Sequence, residues 1–170
     1  VKGLCPDKRS MSKRRIKAGR KIYQLTKDGG FNFDLISTYF GPAVGPRWLI
    51  ARGFDLTLLE RCSLGRSTPV QLVGSSAGAF RFAAWLQPEA VKSYRQLMEA
   101  YIHVTYTKKD TPATTLEKIT GIINAYLEND ALPFALNNKK YRLTIITARS
   151  RGLVAFQNVL LQKTGLIFCF

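Results

Sequence analysis

Val70-Gln-Leu-Val-Gly-Ser-Ser76-Ala-Gly-Ala-Phe80 is the stretch from which the rest of the chain can be read. Its first four residues are mostly apolar and include two valines, the composition of a short buried strand. Ala77–Leu86 is rich in alanine and aromatic residues and predicts a helix, with Phe80, Ala83 and Ala84 facing inward. Between the two, Gly74-x-Ser76-x-Gly78 makes a sharp strand-to-helix turn. A serine at such an apex is held in a strained backbone conformation, exposed at the carboxyl end of its strand. Gly74 and Gly78 are needed because strand and helix pass too close for a β-carbon. The new helix also aims its amino end at any negative charge that develops beside the serine. A simple helix cap by Ser75 or Ser76 would use the hydroxyl, but it would not require glycine on both sides. Ser76 is the candidate nucleophile.

Working outward, Phe33–Tyr39 predicts a strand before the turn and Tyr141–Thr147 a strand well after it. Gly41–Gly45 reads as a loop, and Pro46 as the first residue of a helix interrupted near Gly53 and resumed through Leu56–Leu59. Pro88 opens a helix reaching about Ile102, Thr105–Pro112 is a polar loop, and Thr114–Leu132 is a further helix. Residues 13–27 carry Ile16, Ile22 and Leu25 at helical spacing, and Asp28-Gly29-Gly30 stops that helix. Strands separated by helices predict an α/β fold, a three-layer parallel sheet with helices on both faces. The domain organisation read from this is a basic arm over 1–15 and one α/β domain over 16–170. Leu153–Phe170 is apolar with only Lys163 charged, which reads as a domain whose carboxyl-terminal part is missing.

At 170 residues, 46% apolar and 11% aromatic, the chain is long enough for a packed core and is not of disordered composition. The net charge of +15 is uneven: residues 1–27 hold ten Lys or Arg against Asp7, a local +9, which leaves +6 for the rest. Lys8-Arg9 and Lys13-Arg14-Arg15 could bind anionic lipid headgroups or nucleic acid, or simply form a solvated segment running into the first helix. Nothing beyond the charge points to nucleic acid, since no paired Cys/His set or aromatic RNA-binding stretch occurs. Three scattered cysteines and a single histidine offer no metal set. No cofactor is called for. With no long apolar span and no leader, the chain reads as cytoplasmic, with the arm as its route to a membrane.

A serine nucleophile needs a base. Hydrolases with this turn order their triad serine, acid, histidine, and only Glu89 and Glu99 lie between Ser76 and His103. His103 ends the helix that carries both, so a triad is disfavoured and a carboxylate would have to act on the serine directly. In this the chain resembles the patatin-like phospholipases, which use a Ser-Asp dyad. The resemblance covers roughly residues 18–152. It includes Gly41-Pro-Ala-Val-Gly45-Pro46-Arg47-Trp48, similar to a subgroup whose loop reads Gly-Gly-Pro-Lys/Arg-Trp. It implies that the amides of Val44 and Gly45 form an oxyanion hole, that Arg47 braces the loop, and that the substrate is a phospholipid or other acyl ester. The chain departs from the family at Ala43 and Val44, where glycines are usual. It also has no Asp-Gly-Gly or Asp-Gly-Ala after Ser76, as Asp110 precedes Thr111 and Asp130 precedes Ala131. A non-catalytic module that binds anionic lipid surfaces is the alternative.

Overall fold

The computed structural model describes residues 19–29, 32–129, 131–155, 158 and 160–161. They divide into two compact units at Phe33. The first contains helix α1 (Arg20–Gly29), which ends on the expected Asp28-Gly29. Residues 1–18 lie outside the described residues, and with them the basic arm and the start of the predicted first helix.

The second unit is mixed α/β, built on a three-stranded parallel sheet in the order β1 (Thr38–Gly41), β2 (Val70–Ser75), β3 (Tyr141–Ile146). Along it run α2 (Arg52–Glu60), α3 (Ala77–Trp85), α4 (Ala90–His103), α5 (Pro112–Tyr126) and α6 (Ala131–Leu136). Register places Gly41 opposite Gly74 and Ser75 opposite Ile146.

Alternation along the strands shows which face is covered. Val70, Leu72 and Gly74 are buried on the side where α3 packs, beside Tyr39, Gly41 and Tyr141. Phe82 and Trp85 of α3 meet the Tyr39 ring at 5.2 and 5.7 Å between centroids, and Trp85 meets Tyr141 at 5.6 Å. On the opposite face Phe40 and Ile146 are about half exposed, at 53% and 49%. There Gln71 Nε2 donates to Thr144 Oγ1 (2.7 Å) and to the Arg142 carbonyl (3.0 Å), which ties β2 to β3. Among the described residues of this unit that face is left partly exposed, whereas a parallel sheet ordinarily carries helices on both sides.

Several elements differ from expectation. Phe33–Leu35 forms a 3₁₀ turn rather than a strand. The first strand starts at Thr38, because its pairing partner, Gln71–Gly74, sets where the ladder runs. Gly45–Ala51 is a 3₁₀ helix that passes directly into α2, so the change of geometry falls at Ala51–Arg52 and Gly53 lies within a continuous helix. Pro88 and Glu89 lie in a turn, and α4 begins at Ala90. The predicted helix 114–132 is two helices. Thr111 and Thr114 form a reciprocal cap that starts α5 at Pro112, and an extended Leu127 ends it before α6. In α3 the fully buried aromatics are Phe82 and Trp85, while Phe80 is partly exposed. Of the three residues predicted to face inward, Ala84 is fully buried, whereas Phe80 and Ala83 are partly exposed.

Candidate active site

Ser76 stands between the last residue of β2 and the first of α3 with φ 50° and ψ −120°. It is one of two non-glycine residues with positive φ among those described. For a residue bearing a β-carbon this costs on the order of 1–3 kcal/mol, and it persists only where the surroundings impose it. They do so here. A β-carbon on Gly74 would come within 2.6 Å of the Ala79 Cα and 2.7 Å of its amide nitrogen. One on Gly78 would fall inside the Gly41 carbonyl, and one on Gly41 would reach 2.9 Å from the Gly78 Cα. Strand, turn and helix are therefore in backbone contact at three glycines, and the serine absorbs the bend.

The Ser76 side chain is exposed and makes no capping hydrogen bond; its carbonyl receives the Ala79 (2.9 Å) and Phe80 (3.2 Å) amides. The hydroxyl is thus not occupied in holding the helix, as a simple capping role would demand. Ser76→Gly should raise stability by about 1 kcal/mol, since relief of the positive φ outweighs the added freedom of the unfolded chain. Urea unfolding measures it, and a loss of stability would show that the backbone here is unstrained.

Beyond Gly41 the chain makes three loop residues and enters the 3₁₀ helix at Gly45 (φ 53°), with Pro46 in its first turn. Val44 and Gly45 are partly buried, and the Val44 carbonyl receives the Arg47 amide at 3.3 Å. This 3₁₀ helix packs against α3. The Arg47 side chain is exposed, with no hydrogen bond or ion pair to another described residue. What pins the segment is Trp48, 2% exposed, edge-on to Tyr94 (5.7 Å) and Tyr101 (5.6 Å) of α4.

The candidate bases among the described residues are engaged elsewhere. His103 Nε2 lies 2.8 Å from Glu99 Oε1 on the exposed end of α4. Asp110 accepts from Lys118 Nζ at 2.8 and 2.9 Å and from the Thr107 amide at 2.8 Å. The Lys118 hydrogen bond, above all, lowers its pKa below the ordinary carboxylate value. Glu89 pairs with Lys92, and Asp28 accepts from Gln24 within α1. Asp130 lies outside the described residues. Among those described, no carboxylate or imidazole hydrogen-bonds the Ser76 hydroxyl, and no group of three His, Cys, Asp or Glu could hold a metal ion.

One carboxylate that sequence pattern does not single out is Asp55. It is fully buried in α2, with Arg81 of α3 (3% exposed) forked onto it, Nε to Oδ2 at 2.8 Å and Nη2 to Oδ1 at 2.9 Å. Tyr39 and Tyr94 donate their hydroxyls to Oδ1 (2.8 Å) and Oδ2 (2.6 Å). Burial, then the neighbouring Asp55 charge, pushes the Tyr39 hydroxyl up to about 12 and raises Tyr94 still further. Both remain donors at neutral pH. The signal available in the sequence is a lone acid inside the mostly apolar Gly-Phe-Asp-Leu-Thr-Leu-Leu and a lone base inside the apolar Ala-Phe-Arg-Phe-Ala-Ala-Trp.

Two cavities of about 820 and 830 Å³ flank α6 and the start of β3, and both are lined by Lys139 and Tyr141. The second opens at the amino end of β3 and the first runs along that strand to Ile145, the partner of Gly74, and neither is lined by Ser76. No helix among the described residues is long and apolar enough to cross a membrane. No family model, curated protein or solved structure matches this chain.

Proposed function

We propose that the chain is a patatin-like lipid acyl hydrolase scaffold, whose Ser76 attacks the carbonyl of a phospholipid or other acyl ester. The observation that carries this reading is an exposed, uncapped serine at φ 50°, ψ −120° between strand and helix, with three glycines in backbone contact around it. A structural turn has no use for that combination. In this reading the Val44 and Gly45 amides and the amino end of α3 receive the charge that develops on the carbonyl oxygen, a contribution worth roughly 10²–10³ in rate per donor. A second helical layer, as the patatin-like fold implies, would cover the face that bears Phe40 and Ile146. The dyad aspartate is not among the described residues.

That last point favours a second reading, a non-catalytic module that holds anionic lipid surfaces through the basic arm. One pair of measurements separates the two. In the first reading a fluorophosphonate labels the chain slowly and Ser76→Ala abolishes the label, because oxyanion stabilisation persists without the base at about 10³–10⁴ over water. In the second, no Ser76-dependent label forms, and the chain binds anionic vesicles in a salt-sensitive manner that is lost on deleting residues 1–15.

A further inference from the structure

We infer that the buried Asp55 carboxylate is a positioning residue that fixes the 41–51 segment against the serine turn. This rests on the reading of Ser76 as nucleophile and of the Val44 and Gly45 amides as oxyanion donors. Four elements meet on this one carboxylate. Asp55 lies in α2, which continues without a break from the 3₁₀ helix Gly45–Ala51. Arg81 lies five residues beyond Ser76 on the helix that the serine introduces. Tyr39 is two residues before Gly41, the residue in backbone contact with Gly78. Tyr94 donates its hydroxyl to Asp55 and receives the edge of Trp48 on its ring, so it holds the 3₁₀ segment at a second point.

The bonding is complete. Asp55 accepts four hydrogen bonds, which saturates its two oxygens. Arg81 Nη2 also donates to the Tyr39 hydroxyl at 3.1 Å, and that hydroxyl donates its own proton to Asp55. A planar, two-pronged guanidinium–carboxylate contact fixes distance and direction together, which a hydrophobic contact does not. A buried ion pair adds little net stability over well-packed apolar side chains, so its use here is geometric. Oxyanion donors must sit within a few tenths of an ångström of their place, and a slip of about 1 Å costs on the order of 10² in rate. The clamp ties the element that carries the amides to the element that carries the nucleophile.

The test uses the full chain with Arg81→Lys, Tyr94→Phe and Tyr39→Phe, read by fluorophosphonate labelling of Ser76 and by amide hydrogen exchange. Lysine keeps the charge but cannot reach both Asp55 oxygens and the Tyr39 hydroxyl. The expected result is labelling slowed about 10- to 100-fold in Arg81→Lys. Amide exchange is expected to quicken over residues 41–51 and stay unchanged over 70–75. Tyr94→Phe, which keeps the ion pair and the ring contact, should show the same pattern at smaller size. It serves if Arg81→Lys fails to fold. Exchange that is unchanged in 41–51, or that rises equally along the whole chain, would overturn the inference and leave Asp55 an ordinary core ion pair. If the wild-type chain forms no Ser76-dependent label, the proposed function fails by itself, and the exchange pattern still decides the clamp.

Discussion

Gly78→Ala is expected to cost about 3 kcal/mol or more, a large effect for the addition of one methyl group. The new β-carbon would fall on the Gly41 carbonyl, which is backbone at the end of β1 and cannot rotate away as a side chain would. To make room, β1 must part from α3, and the Gly41–Gly74 register that holds the strand to β2 must give. Serine labelling should be lost along with stability, because the 41–51 segment leaves with the strand. Gly121→Ala is the matched control. Gly121 lies in the interior of α5, is exposed, and would have nothing within 4 Å of an added β-carbon. There alanine should stabilise by about 0.5–1 kcal/mol through helix propensity. Urea midpoints at equal slope compare the two directly, and a Gly78→Ala chain as stable as wild type would contradict the backbone contact.

Arg81→Met should cost about 3–5 kcal/mol, since it leaves the Asp55 charge buried without its counter-ion. The two side chains are 4% and 0% exposed, so water cannot take over the lost bonds. Asp55→Leu combined with Arg81→Met should cost clearly less than the sum of the single changes, with a coupling of at least about 2 kcal/mol. The two tyrosine hydroxyls would then lack their acceptor, which keeps the double variant below wild type. Additive losses in the cycle would mean that the two charges do not interact across α2 and α3.

The contrast between these two sites shows what the sequence could and could not reveal. The serine turn was legible because its constraints are local: a strand, five residues of fixed spacing and a helix all lie within Val70–Trp85. His103 was legible as a helix-end residue for the same reason, its partner Glu99 being one turn away. The Asp55–Arg81 pair was not, because the cluster draws its four residues from four elements and a lone charge in an apolar run does not name its counter-ion. The first strand was misplaced for a related reason. Phe33 and Leu35 have strand-like composition, yet pairing with β2, a non-local event, decides which residues are extended. The break between α5 and α6 also escaped composition, and it sits where Leu127 turns extended.

The order of the sheet bears on how the chain folds. Thr38 pairs with Gln71 and Gln71 in turn with Arg142, so the second pairing closes a loop about twice as long as the first. Doubling a loop adds only about 0.6 kcal/mol of closure entropy, and the finished sheet suffers little for it. The effect on rate is larger, because non-local parallel pairing delays the reward until most of the chain is in place. The β1–β2–α3 unit, with the shorter of the two connections and three glycine contacts, is suited to form first and to hold β2 with one edge unpaired while α4, α5 and α6 are laid down. During that interval the free edge of β2 is a template for strands of other chains, so crowding and high concentration should compete with β3 for the same hydrogen bonds.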